Sequence, residues 1–331
     1  MSQSKAGIGK EAGAGGGGAP AALVLALESG AGWTGESRFA SSVESAIRGH
    51  LSFDRYFAAG RRATLRGAGE GAIEEATWDW MATSLHPLHG FLLGLDDPRG
   101  VLDCLNAYNV RDLGNSWEGE GSSEPRRRRG GEAECDDGPP RWILSSGSGE
   151  FRLYACRVSP DGFDDPVGCQ RASLASIQFL AEGARRHRDS GAAPPRSLSS
   201  IALHLGAERS AAAEAAHVFE REGAMPIEEL SKRLGCEKRT LERELQAVGL
   251  TAGKLRLASM LVGATSQLHS SATLTQIAAD QGFSDLAHMT RAFKSACGMA
   301  PSALRGARAE AGASRGAPTA GPAHDARLAG R

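Results

Sequence analysis

Two short stretches of this 331-residue chain carry polar side chains at a spacing that could do chemistry. In the first, Arg239, Glu242, Arg243 and Gln246 fall on one side of a 3.6-residue period, opposite an apolar stripe of Leu241, Leu245 and Val248. In the second, Ala287, Thr290, Arg291 and Lys294 fall opposite Met289, Phe293 and Ala296. A guanidinium is a planar fork of donors that stays charged, and a carboxylate only accepts. Such faces are equipped to hydrogen-bond a polar partner. Bond-breaking motifs are missing: the chain has no Gly-x-Ser-x-Gly elbow, no His-Glu-x-x-His and no Gly-x-x-x-x-Gly-Lys-Ser/Thr loop. His86 and His89 could form a ligand pair for a metal or effector, but no third ligand accompanies them. Two surface or hydrogen-bonded histidines are the ordinary reading. Six cysteines are scattered without a Cys-x-x-Cys pair, as reduced thiols would be, and neither a metal nor a cofactor is expected.

Each polar face sits on the second member of a helix–glycine–helix unit. Ile227, Leu230 and Leu234 mark one helix face before Gly235, and Leu274, Ile277 and Ala278 mark another before Gly282. A helix that ends in a tight turn needs a residue tolerating positive φ, and glycine does so without steric cost. Thr273 followed three residues later by Gln276 predicts a capping box. Ser284 is expected to cap the helix after the second turn, with Asp285 in its first turn. Between the units, Leu255, Ala258, Leu261, Val262, Thr265 and Leu268 predict one rigid helix over 252–268. Helix, short glycine turn, helix is the helix-turn-helix plan.

The stretch 224–305 resembles the DNA-binding domain of the AraC/XylS family of bacterial transcription regulators. The resemblance rests on Ile277-Ala278, Gly282-Phe283-Ser284-Asp285, His288, Thr290-Arg291-Ala292-Phe293-Lys294, Gly298, Pro301 and Arg305. In the first unit it rests on Leu230, Leu234-Gly235, Arg239-Thr240-Leu241 and Arg243. It departs from the family at Glu237, where serine is usual, and at Met289, where an aromatic is usual. The resemblance implies two recognition helices in successive major grooves of double-stranded DNA, about 34 Å apart. It implies base contacts from Arg239, Glu242, Arg243, Ala287, Thr290 and Arg291. Lys238, Ser284, His288 and Lys294 would lie on the backbone. RNA polymerase is the implied protein partner, and a small-molecule effector and a homodimer fit the usual front domain of the family. Arginine can grip guanine O6 and N7 together, while glutamate could accept only from cytosine N4.

The rest of the chain sets the context. Residues 1–223 hold 24 Lys and Arg against 30 Asp and Glu, whereas 224–308 hold 11 against 7, so the positive part is the one suited to phosphate. Residues 1–20 are Gly/Ala-rich and expected to be disordered, as are the charge-segregated loop 114–141 and the tail 309–331. Residues 36–58 and 170–187 read as helices, 98–107 as a short helix opened by Pro98, and Ala21–Leu27, Arg61–Arg66 and Glu75–Met81 as strand candidates. Trp142–Ser145 and Glu150–Val158 read as a hairpin. A linker at 189–197 is expected to separate an α+β N-terminal domain of unassigned fold, 21–188, from an all-α module, 198–308, with two helix-turn-helix units. The 198–222 stretch reads as two Ala-rich connector helices, although Ile201-Ala202 and Gly206 repeat the spacing of Ile277-Ala278 and Gly282.

No run of about 18 apolar residues is present, and no basic start leads into an apolar signal region, so a cytoplasmic protein without a membrane span is expected. The reading is a non-catalytic, sequence-specific transcription regulator, more an activator than a repressor. The alternatives are a protein–protein adaptor with a degenerate DNA-binding module and a sensor or repair enzyme fused to one. The Pro-Cys-His-Arg nucleophile of alkyl-transfer repair enzymes is absent.

Overall fold

Small and apolar side chains recurring every three or four residues decide most of this fold. A computed structural model describes residues 18–20, 34–48, 50–52, 58–60, 62, 71–102, 104–105, 141–147, 150–156, 167–191 and 196–313. The described residues are mostly helical, and the expectation of an α+β front domain is not supported. Four strands form two separate antiparallel ribbons, β1 (Gly18–Pro20) with β2 (His50–Ser52) and β3 (Arg141–Gly147) with β4 (Glu150–Cys156). Helix α1 (Gly35–Ile47) starts at Thr34, whose hydroxyl accepts from Ser37 N at 3.2 Å. It stops eleven residues short of the expected end, with Arg48 as its C-cap and Gly49, a poor helix former, next in the sequence.

The stretch Glu75–Met81 is not a strand but lies inside α2 (Ala72–Thr83), which buries Ile73, Thr77, Trp80 and Met81. That spacing of four, three and one keeps the buried groups on one helix face, a pattern a two-residue period cannot give. Helix α3 (Pro87–Leu93) follows, with proline at its start, and 98–102 are helical as well. Helix α4 (Val167–Ser190) packs on α2 and α3. Of Arg61–Arg66 only Arg62 is described, and it is helical. Ala21–Leu27, both tails up to residue 17 and from 314, and the loop up to residue 140 lie outside the described residues.

From residue 198 the chain is a run of helices: α5 (Leu198–His204), α6 (Ala211–Glu222), α7 (Ile227–Arg233), α8 (Lys238–Ala247), α9 (Ala252–Gln267), α10 (Leu274–Asp280), α11 (Leu286–Cys297) and α12 (Pro301–Ala313). Helix α9 is the shared wall of two apolar cores. One face, Leu255, Ala258 and Val262, packs into a core with Phe39 and Val43 of α1, Ile201 of α5, Leu230 of α7, and Leu241 and Leu245 of α8. The other face, Leu261, Ala264 and Leu268, packs into a core with Phe91 and Leu92 of α3, Leu180 of α4, Ile277 of α10, and Met289 and Phe293 of α11. Fully burying a side chain of this size contributes about 1.5–3 kcal/mol. Both cores therefore draw on helices from each side of residues 189–197.

Arg196 fastens that junction. Its guanidinium donates to the carbonyl oxygens of Ser84 and Met81, the latter at 2.9 Å, and burial lowers its pKa to about 10. His86 and His89 are both buried rather than on the surface, with ring centroids 4.8 Å apart. His89 Nδ1 lies 3.1 Å from Ser84 Oγ, and burial, helped by Arg196, pushes its pKa down to about 3. They are part of the packing around α3. Among the described residues no three His, Cys, Asp or Glu side chains converge as metal ligands. No single described helix is long and apolar enough to cross a membrane.

Candidate nucleic-acid interface

The two glycine turns are built alike, bond for bond. In the first, Leu234 N donates to Leu230 O, Gly235 N to Lys232 O and Cys236 N to Ser231 O, at 3.0, 3.2 and 3.0 Å. In the second, Gln281 N donates to Ile277 O, Gly282 N to Ala279 O and Phe283 N to Ala278 O, at 3.0, 3.1 and 2.9 Å. Gly235 and Gly282 hold φ of 65° and 79°, the left-handed region that strains any other L-residue. Carbonyls left over at each helix end are thereby satisfied by backbone amides alone.

A third turn of the same kind joins α5 to α6. Leu205 N donates to Ile201 O, Gly206 N to Leu203 O and Ala207 N to Ala202 O, with φ of 66° at Gly206. The repeat of Ile201-Ala202 and Gly206 is therefore structural, and α5–α6 is more than a plain connector. Its second helix exposes Glu214, His217, Glu220 and Arg221, a face poor in net positive charge.

The helices after the first two turns begin differently. Asp285, not Ser284, is the N-cap of α11: its carboxylate accepts from His288 N at 2.6 Å. That hydrogen bond holds the Asp285 carboxyl below the usual range. Ser284 Oγ lies 3.3 Å from His288 Nδ1, and the His288 ring meets Phe283 edge-on at 5.3 Å. The equivalent cap of α8 is Glu237, whose side chain accepts no capping hydrogen bond; glutamate is not among the short side chains that suit this position. The capping box of Thr273 and Gln276 is present on α10 as expected.

Arg239 and Arg243 are exposed on α8, with Glu242 half-buried between them. Ala287, Arg291 and Lys294 are exposed on α11, with Thr290 and His288 half-buried. Leu241 and Leu245, and Met289 and Phe293, are fully buried behind these two faces. The faces lie on different cores, and α9 stands between the cores as their common wall. Ion pairing is unequal. Lys238 Nζ lies 2.6 Å from Glu228 Oε1 and 3.9 Å from Glu242 Oε1, and Arg233 pairs with Glu222 and Glu229. Among the described residues no ion pair involves Arg239, Arg243, Arg291 or Lys294. Glu228 was not legible as part of the site, since nothing in a ten-residue separation across a turn marks a contact.

The positive surplus of 224–308 is partly spent inside the fold. Lys254 pairs with Glu44 of α1, and Arg305 and Arg308 donate to the carbonyls of Leu268 and His269 at 3.0 and 2.9 Å, closing the C-terminal end of α9. The cations left at the surface of α8 and α11 are few, and they stand on the two faces read from the sequence. No curated protein and no solved structure matches the chain. Residues 230–307 match the family model of a helix-turn-helix domain, and this part of the chain is similar to the helix-turn-helix of the AraC type.

Proposed function

We propose that the protein is a sequence-specific transcription regulator of the AraC/XylS type, acting as an activator and without catalysis, in which α8 and α11 are two recognition helices. The observation that carries this is the pair of exposed, arginine-bearing faces, Arg239/Arg243 and Arg291/Lys294, each backed by a buried apolar stripe and joined through one helix, α9. On this reading α8 and α11 enter successive major grooves. Arg239, Glu242, Arg243, Ala287, Thr290 and Arg291 face base edges, while Lys238, Ser284, His288 and Lys294 position the backbone. Residues 21–188 would serve as the effector-sensing or dimerising part, and RNA polymerase would be the protein partner, in the cytoplasm. Glu237 and Glu242 speak for the adaptor alternative, and Arg239, Arg243, Thr290, Arg291 and Lys294 speak against it.

The test uses the full chain, because helices from residues 35–190 share both cores with the helix-turn-helix region. Binding sites selected from random duplex DNA supply the specific site, and scrambled DNA the reference. Arg291→Ala should lose about 1–3 kcal/mol on the selected site and little on scrambled DNA, with preference relaxed at one position. Lys294→Ala should weaken both DNAs alike and flatten the salt slope by about one. Equal losses for Arg291→Ala on both DNAs would reduce it to a phosphate anchor, and failure to select any site would remove the reading.

A further inference from the structure

The ion pair at the start of α8 has no counterpart on α11. Lys238 is the first residue of α8, where a helix presents open amides and where a cation beside a phosphate would help to seat the helix on DNA. Its ammonium instead faces the Glu228 carboxylate of α7 at 2.6 Å, with Glu242 next nearest. Glu228 and Glu242 also share the wall of one cleft, about 450 Å3 in volume, with Gln246, Arg256 and the first residues of α9. A phosphate approaching here meets carboxylate oxygens where it would otherwise meet a free lysine.

We propose that Glu228 is a positioning residue that stands in for a DNA phosphate: it holds Lys238 off the DNA backbone and makes the grip of α8 on DNA weaker than that of α11. The proposal rests on the DNA-binding reading above and adds to it an internal competitor for one cation. A carboxylate and a phosphate oxygen offer the ammonium the same kind of charge-assisted hydrogen bond, so the exchange is a swap of acceptors. Both partners are exposed, and exposed pairs are weak. Glu228 therefore tunes the affinity and does not block it. The hydrogen bond keeps the Glu228 carboxyl below its ordinary range and raises Lys238, so the pair stays ionised at neutral pH. On α11, Asp285 is engaged as the helix cap and acts on Arg291 only through space, and neither Arg291 nor Lys294 is held in an ion pair among the described residues.

The experiment is a salt series of duplex-DNA binding by fluorescence anisotropy with the full chain as wild type, Glu228→Gln, Lys238→Gln and the double variant. Thermal unfolding checks that each variant is folded. Glu228→Gln should bind roughly three- to tenfold tighter at low salt, with a salt slope steeper by about one, as one more phosphate contact requires. In the Lys238→Gln background the same change should alter affinity less than about twofold, because the two residues act as a unit. An equal gain in both backgrounds would mean that Glu228 repels phosphate directly, and would overturn the proposal. No gain in either would overturn it as well. Loss of binding in Lys294→Ala alongside an unchanged Glu228→Gln would sink this proposal and leave the DNA reading standing. A wild-type chain that binds no DNA at low salt would end both.

Discussion

At equivalent places the two glycine-turn units solve the same problem with different materials. The second unit rests on packing and a good cap: Phe293 and Met289 are fully buried, and the Asp285 carboxylate closes the start of α11. The first unit has Leu245 and Leu241 in those places, and a Glu237 that makes no capping hydrogen bond. What it has instead is charge, in the pairs of Arg233 with Glu222 and Glu229 and of Lys238 with Glu228. Packing holds under all salt conditions, whereas exposed ion pairs are screened. The second unit is thus built to keep its shape, and among the described residues it holds neither Arg291 nor Lys294 in an ion pair. The first spends cations on itself.

The sharpest way to break that contrast is to empty the core behind each face. Phe293→Ala should cost about 3–5 kcal/mol and Leu245→Ala about 2–5 kcal/mol, with Phe293 at the upper end because its core also carries α3, α4 and α12. Chemical denaturation measured on both variants decides it, and a larger loss for Leu245→Ala would reverse the ranking of the two units.

Acid separates the units by another route. His269 Nε2 lies 3.0 Å from Phe91 O with its ring stacked on Phe91, faced also by His187 of α4 and by Arg305 and Arg308 of α12. Burial, with Arg308, lowers its pKa to about 4, as burial lowers that of His89 to about 3. Both folded values lie below the unfolded one near 6.5, so between these limits the unfolded chain takes up protons that the folded chain refuses. Stability therefore falls as pH drops from about 6.5 and levels off below the folded values, by about 2 kcal/mol per histidine at pH 5. His89 lies in α3 and His269 lies against it, and α3 packs on α11. Hydrogen exchange at pH 5 should show α3 and the end of α9 losing protection before α8, and the opposite order would show that the histidines do not control the second core.

The glycine turns were the most legible part of the chain, because a positive φ restricts the residue type locally and the flanking stripes repeat at a helical period. The cap of α11 was misplaced by one residue, since Ser284 and Asp285 can both cap and only the backbone decides between them. The double-sided burial of α9 was half legible. Leu255, Ala258, Leu261, Val262, Thr265 and Leu268 read as one side, but Leu255, Ala258 and Val262 belong to one core and Leu261 and Leu268 to the other, with partners as distant as Phe91 and Leu180. The front helices were the least legible. Trp80, Leu88 and Phe91 signal burial without saying against what, and aromatic and threonine content around Thr77–Trp80 favours strand on propensity alone.

Smaller changes test the turns themselves. Gly235→Ala and Gly282→Ala each place an L-residue at positive φ, a cost of about 1–2 kcal/mol. Around Gly235 an added Cβ meets open space, whereas at Gly282 it would lie 3.1 Å from the Ala224 Cβ, so the neighbour must give way. Gly282→Ala should therefore lower the melting temperature more than Gly235→Ala. Equal losses would mean that the Ala224 side yields freely.

The smallest expected effect is at Glu237, and it bears on both stability and DNA. Replacing it with serine supplies a hydroxyl of the right length to accept from the amide three residues on, as Asp285 does from His288 on α11. An added cap of this kind contributes about 0.5–1 kcal/mol. The same change removes a carboxylate beside the start of α8, where phosphate would sit. If the first unit is the weaker because of its own acids, Glu237→Ser should raise the melting temperature slightly and tighten binding to selected and scrambled DNA alike, since a phosphate-side change carries no sequence information. Its effect should add to that of Glu228→Gln, because Glu237 makes no ion pair with Lys238 among the described residues. A gain in stability with no change in binding would confine Glu237 to the helix end, and the imbalance between the units would then rest on Glu228 and Glu242.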